Sequence, residues 1–105
     1  MNQETRLEVR AKKQSIKEIV DKIYILESSG GKNDHCLKEG LKNGYGFRVN
    51  KREQVCYQSH EEVRTEVELW ISNRMDKMTL AEMLCVYNKG LKVNNCTYYK
   101  KFLNL

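Results

Sequence analysis

The stretch SIKEIVDKIYILESSGG, residues 15–31, decides the fold of this 105-residue chain. Ser15 and Glu18 form a capping-box pattern, which indicates the start of a helix. The apolar residues that follow recur at the spacing of one helical face: Ile16, Ile19, Val20, Ile23 and Leu26. Because the pair Gly30-Gly31 interrupts this pattern, the predicted helix ends near Ser28.

Two further capping-box patterns, Ser59-x-x-Glu62 and Thr79-x-x-Glu82, predict two more helix starts. Apolar stripes at helical spacing follow them: Val63, Val67, Trp70 and Ile71, then Leu80, Met83, Leu84 and Tyr87. Gly90 predicts the end of the third helix, and a last short helix is expected from about Cys96 to Leu103, with Tyr98, Tyr99, Phe102 and Leu103 facing inward. The predicted fold class is mainly α, α+β at most.

The stretch from Gly30 to Gln58 is rich in glycine and has no long helical period. It predicts a loop with a short helical turn around Leu37 to Leu41 and a short hairpin around Tyr45 to Val55. This loop or hairpin is expected to form one wall of a cleft. Residues 1–14 lack a firm apolar stripe, so they are an N-terminal extension or the frayed start of the first helix, and residues 15–105 form the folded domain.

The chain has a formal net charge of +5, with its basic residues scattered along the sequence. Scattered positive charge suits a polyanionic partner such as a cell-wall polymer. No block of five or more like charges occurs, so a nucleic-acid partner ranks last among the alternatives. The chain has no apolar run near 18 residues and a polar N-terminus, so we expect no stable membrane insertion and no signal peptide within it. We expect a monomer.

The four cysteines, Cys36, Cys56, Cys85 and Cys96, allow three disulfide pairings. No Cys-x-x-Cys spacing occurs, and His35 and His60 lack zinc-finger spacing, so disulfides are favoured over a metal site. We predict Cys36–Cys56 and Cys85–Cys96, because each pair brackets a loop-rich stretch. Disulfides imply a compartment outside the cytosol, secreted or at the cell envelope. Four buried free thiols in a cytosolic protein are the alternative.

Glu27 is the most informative ionisable residue of the first predicted helix. It lies four residues after Ile23 and seven after Val20, on the apolar face, and at the helix C-terminus. Burial and the negative end of the helix dipole both disfavour a carboxylate, so its pKa is expected to be raised. A carboxylic acid that stays protonated beside a cleft is suited to general-acid chemistry. The alternative is a side chain that turns to solvent.

Three segments together resemble the lysozyme-like lytic transglycosylases, the soluble lytic transglycosylase domain family. Glu27-Ser28-Ser29-Gly30-Gly31 resembles the family motif in which a Glu-Ser pair ends a helix and the Glu is the sole catalytic acid and base. Gly44-Tyr45-Gly46-Phe47 is similar to its Gly-Leu-Met-Gln segment, and Tyr87-Asn88-Lys89-Gly90 to its Tyr-Asn-Ala-Gly motif. The segments occur in the family's order. The family's glutamine has no match, since Arg48 follows Phe47, and the chain is short for the family.

The resemblance implies a small lysozyme-like helical domain over residues 15–105 that cleaves the β-1,4 bond between N-acetylmuramic acid and N-acetylglucosamine in peptidoglycan glycan strands. Glu27 is then the catalytic acid and base, and neither a cofactor nor a metal is implied. Substrate-binding roles are implied for Ser28, Tyr45, Gly46, Phe47, Tyr87 and Asn88. Tyr45 is expected to stack on a sugar, whereas Trp70 is assigned to the core.

Two alternatives remain open within the same substrate class. A hydrolysing lysozyme needs a second carboxylate near Glu27, for which the loop offers Asp34, Glu39 and Glu53. A disulfide-stabilised module that binds cell-wall glycan without cutting it is the other alternative.

Overall fold

The computed structural model describes residues 3–49 and 54–105 and confirms a mainly α fold. The helices are α1 (Gln3–Ser28), α2 (His60–Ser72), α3 (Leu80–Lys89) and α4 (Thr97–Leu103), with a 3-10 helix at His35–Glu39 between α1 and α2. The described residues include no extended strand. Two isolated antiparallel bridges, Lys42 with Tyr57 and Arg48 with Gln54, stand where the hairpin was expected, and its residues 50–53 lie outside the described part.

The first helix is longer than the sequence pattern predicts. It begins at Gln3, so Ser15 lies inside α1 and the prediction of a helix start there is wrong. Residues 3–14 consist mostly of the good helix formers Glu, Arg, Lys and Gln and contain neither glycine nor proline, so their helix propensity extends α1 without an apolar stripe. Lys12 Nζ lies 3.1 Å from a carboxylate oxygen of Asp76, which connects this part of α1 to the segment after α2.

The other helix boundaries agree with the sequence. Ser59 Oγ accepts a hydrogen bond from the Glu62 backbone N–H at 3.2 Å and caps α2. At α3 the capping box is complete, because Thr79 Oγ1 accepts from the Glu82 N–H and the Glu82 carboxylate accepts from the Thr79 N–H. Gly90, with φ of 72°, ends α3.

One core cluster joins all four helices. Its buried members on the helices are Ile16, Ile19, Val20, Ile23, Val63, Val67, Ile71, Met83, Leu84, Tyr98 and Phe102. On α4, Tyr98 and Phe102, four residues apart, are buried in the core, and the partly buried Tyr99 packs against it, as expected. Leu103 is 57% exposed, so the expectation that it faces inward is wrong. Within residues 3–49 and 54–105 no helix combines the length and apolarity needed to cross a membrane.

Both predicted disulfides are present, Cys36–Cys56 and Cys85–Cys96, and they use all four cysteines. The first joins the 3-10 helix to the segment that leads into α2. The second joins α3 to the residue that precedes α4.

We expect loss of the Cys85–Cys96 disulfide to lower the free energy of unfolding substantially. In the chain-entropy model, the double variant C85S/C96S loses roughly 3 kcal/mol, because the unfolded chain gains conformational freedom. Urea denaturation of the variant and the wild type at one pH measures the difference. Equal stability, or peptide mapping without reduction that joins Cys36 to Cys96, contradicts this role.

Candidate active site

The C-terminus of α1 holds Glu27 against a sharp reversal of the chain. Ser28 Oγ donates to the Tyr24 carbonyl at 3.2 Å and accepts from the Gly31 N–H at 2.8 Å. Ser29 takes a positive φ of 54°, followed by positive φ at Gly30 and Gly31, so the backbone turns away directly after the helix. Because Ser28 is 2% exposed and both bonds are internal, its side chain serves the turn, and the predicted substrate contact through it is wrong.

The carboxyl group of Glu27 packs directly against Gly46. A Cβ atom at Gly46 would overlap one carboxylate oxygen and lie 2.8 Å from the carboxyl carbon, so only glycine leaves room for this contact. Burial raises the pKa of Glu27, as the position on the apolar face of α1 predicts. The hydroxyl of Tyr98 and the positive charge of Arg48 act in the opposite direction on this pKa.

Tyr98, on α4, is a neighbour of Glu27 that sequence reasoning did not identify. Its hydroxyl is fully buried and makes no well-formed hydrogen bond within the described ranges, although it interacts with the Glu27 carboxyl. That interaction and burial raise the pKa of Tyr98, so the phenol stays protonated and can donate to a carboxylate. In the sequence, Tyr98 is one aromatic of an apolar stripe, which indicates core packing and nothing more.

The loop that carries Gly46 is organised by Asp34 and Asn43, both buried. The two carboxylate oxygens of Asp34 accept backbone N–H groups of Cys36 at 3.0 Å and Asn43 at 2.8 Å. The Asn43 side chain bonds both the N–H and the carbonyl of Phe47 and also the carbonyl of Val55. These bonds take the place of a sheet ladder and fix the backbone of residues 43–47.

The three acids considered as partners for Glu27 differ in their surroundings. Both oxygens of Asp34 are engaged in the loop, and Glu39 is exposed on the 3-10 helix. Glu53 lies outside the described residues. The main causes of the pKa shift at Glu27 are burial, Tyr98 and Arg48, and they include no carboxylate.

An open groove of about 590 Å³ lies between the segment 47–49 and the C-terminal ends of α2 and α3. Its lining includes Phe47, Arg48, Val49, Trp70, Arg74, Val86, Tyr87, Asn88, Lys89, Gly90 and Leu91. Three of the predicted binding residues, Phe47, Tyr87 and Asn88, are thus brought together here. Glu27 is not part of the lining, but Arg48 and Tyr87, which are, both interact electrostatically with it.

Tyr87 connects the groove to the loop. Its hydroxyl donates to the backbone carbonyl of Tyr45, and burial raises its pKa well above the ordinary value. The ring lies 6.5 Å from the ring of Phe47 and 5.3 Å from that of Trp70, measured between centroids. Asn88, the next residue, is exposed at the groove, where its amide can both donate and accept hydrogen bonds.

Tyr45 is buried, against expectation. It is 0% exposed, lies 4.7 Å from the ring of Tyr24, and hydrogen-bonds His60 and Arg64 through its hydroxyl. Its predicted stacking on a sugar is therefore wrong. Trp70 packs against the core cluster, as expected, but it is only half-buried and also contributes to the groove lining.

A metal site does not arise from the cysteines and His35. The ligand atoms of His35, Cys36 and Cys56 lie within 4.8 Å of one another, but the two sulfurs are bonded to each other. Thiolate is the form of cysteine that binds metals, and a disulfide supplies none.

Comparison of the chain with protein-family models, curated proteins and solved structures finds no match.

We expect Gly46→Ala to disturb Glu27 specifically. Gly46 has φ of 60°, and its missing Cβ makes room for the Glu27 carboxyl, so alanine both strains the backbone and displaces the acid. The matched control is Gly40→Ala, because Gly40 has φ of 72° and nothing within 4 Å of an added Cβ. Both variants should lose about 1–2 kcal/mol of unfolding free energy to backbone strain, with a further loss at Gly46 alone.

Carboxyl NMR of Glu27 separates the two variants. The Glu27 resonance and its titration should shift in Gly46→Ala and stay at the wild-type position in Gly40→Ala. An unchanged Glu27 titration in Gly46→Ala, with the fold intact, contradicts the contact.

We expect Glu27→Gln to become more stable than the wild type as pH rises. The raised pKa means that the folded wild type favours protonated Glu27, so its stability falls as pH rises through that pKa, whereas glutamine does not titrate. The difference should grow by about 1.4 kcal/mol for each unit by which folding raises the pKa. Denaturant unfolding from pH 4 to 8 measures it. A directly titrated Glu27 pKa at or below about 4.3 contradicts the assignment.

Proposed function

We propose that the chain is a peptidoglycan-cleaving glycosidase with a lysozyme-like fold and Glu27 as its general acid and base. The observation that carries this proposal is the Glu27 carboxyl at the end of α1, held against Gly46 with a raised pKa beside an open groove. A glycosidic oxygen is a poor leaving group until it is protonated, and burial, which raises the pKa of Glu27, favours the protonated form that can supply this proton.

The proposed reaction uses one side chain for two proton transfers. Protonated Glu27 gives its proton to the glycosidic oxygen as the bond from that oxygen to C1 of N-acetylmuramic acid breaks. The resulting carboxylate takes the proton of the muramic 6-hydroxyl, whose oxygen bonds to C1. The products are a 1,6-anhydro sugar and a free 4-hydroxyl, and no water is consumed.

Two observations favour this transglycosylase route over hydrolysis. Asp34, the first acid after the double glycine, uses both carboxylate oxygens on backbone N–H groups of the loop. Tyr98 offers a buried donor to the carboxylate that forms after the first proton transfer. Burial therefore favours the protonated form of Glu27, and the Tyr98 hydroxyl favours the carboxylate, so the proposed route needs no second carboxylate.

The groove residues receive roles in holding the glycan. Trp70 presents an aromatic ring on which a sugar can pack, and Asn88 presents an amide suited to the N-acetyl group. Tyr87 and Phe47 line the groove, and the Tyr87 hydroxyl fastens that ring to the loop through the Tyr45 carbonyl. The two disulfides fit an oxidising compartment, so we place the activity outside the cell or at the cell envelope, as a monomer on glycan strands.

Glu27→Gln should abolish cleavage while keeping the fold. The amide is nearly isosteric but cannot give up a proton, so we expect a loss of about 100- to 10,000-fold in the rate of muropeptide release from purified cell wall. Mass spectrometry of the wild-type products identifies the chemistry, because a 1,6-anhydro end lacks the water present in a reducing end.

Each result has a distinct consequence. Undiminished lysis by Glu27→Gln contradicts the catalytic role. Reducing ends among the wild-type products identify a hydrolysing lysozyme. If the wild type cuts nothing but is retained by insoluble wall, the chain is a binding module, and the aromatic and amide lining of the groove is the feature that favours this second function.

A further inference from the structure

The groove beside Glu27 is lined by positive charge. Arg48, Arg74 and Lys89 contribute to its lining, and none of the described lining residues is an aspartate or a glutamate. In the described ranges, none of the three forms an ion pair within 4.0 Å, whereas Arg64 on the other part of α2 is paired with Asp21. Among the described residues, the lining of the groove is therefore positively charged without an opposing acid.

Arg74 is held in a fixed orientation at the end of α2. Its guanidinium lies 4.0 Å from the centroid of the Trp70 ring, and its Nη1 donates to the Trp70 carbonyl at 3.1 Å. Stacking on an indole and one hydrogen bond fix the plane of the guanidinium, while its other N–H groups bond no side chain or carbonyl of residues 3–49 and 54–105. A planar group with free paired donors is the form in which arginine binds a carboxylate through two hydrogen bonds.

We propose that Arg74, with Arg48 and Lys89 beside it, is a subsite for a carboxylate of the peptide that substitutes the muramic acid residue. This inference rests on the proposed function and names the part of the substrate that the groove selects. In a peptide-bearing residue the lactyl carboxyl of muramic acid is consumed in the amide bond to the peptide, so the free carboxylates belong to the peptide. The three cations of the groove lining therefore favour a substituent with free peptide carboxylates over one in which they are amidated. Trp70 then packs against the sugar while Arg74 binds the peptide carboxylate.

Calorimetry on the wild-type protein tests this without turnover. The ligand is the disaccharide in which N-acetylglucosamine precedes a peptide-bearing N-acetylmuramic acid, because it lacks the bond that the enzyme is proposed to cut. The same compound with its peptide carboxylates converted to amides is the matched neutral ligand. We expect the free acid to bind about tenfold more tightly, with the preference shrinking as salt is raised. Since Trp70 is the chain's one tryptophan, its fluorescence locates both ligands.

Variants assign the preference to Arg74. In Arg74→Gln the preference for the free acid should fall to near onefold, and Arg74→Lys, which keeps the charge and loses the planar fork, should retain only part of it. Lys38→Gln is the matched control, because this substitution removes the same charge at a different place. Lys38 is exposed on the 3-10 helix and is not part of the groove lining. It should keep the full preference.

Three results of the binding measurements overturn the subsite. They are equal affinity of the wild type for the acid and its amide, an equal loss of preference in Lys38→Gln, and tighter binding of a short single-stranded oligonucleotide than of the free acid. Cell-wall cleavage that depends on Glu27 but ignores peptide carboxylates overturns the subsite alone. A preference for the free acid without any cleavage supports the subsite and removes the proposed enzymatic function.

Discussion

The site depends on the close contact between the C-terminus of α1 and the loop that contains Gly44 and Gly46. A Cβ at Gly44 would lie 2.5 Å from the Tyr24 ring and 2.8 Å from Ser28 Oγ, and one at Gly46 would overlap the Glu27 carboxyl. Two glycines are therefore required to bring the loop backbone against the helix. This close contact partly removes the Glu27 carboxyl from water, and the burial raises its pKa. Packing therefore favours the protonated form of Glu27.

Much of the fold could be predicted because its signals are local. The caps at Ser59 and Thr79 and the end of α3 at Gly90 each depend on a few neighbouring residues, and the structure confirms them. The start of α1 was missed because residues 3–14 are helical by propensity, a signal without the apolar period that marks a buried face.

The site was only partly predictable, because several of its features depend on contacts distant in sequence. Tyr45 stands in a glycine-rich loop, a pattern typical of an exposed ring, yet tertiary packing buries it completely. Trp70 packs against the core as its helical stripe indicates, but its part in the groove depends on segments distant in sequence. The role of Tyr98 likewise arises from its interaction with Glu27, far along the chain. The disulfides were predictable because pairings that bracket single loops connect residues close in sequence.

The burial of Tyr45 gives the Gly-Tyr-Gly segment a role in rigidity. The hydroxyl of Tyr45 lies 2.9 Å from His60 Nε2 and accepts from Arg64, both on α2, while its carbonyl accepts the Tyr87 hydroxyl from α3. The glycines on either side contact α1, so three consecutive residues join three helices. A side chain used for binding sugar cannot also make these bonds. The segment instead fixes Glu27 and Tyr87 relative to each other, which is the condition for a proton to be delivered to one defined oxygen.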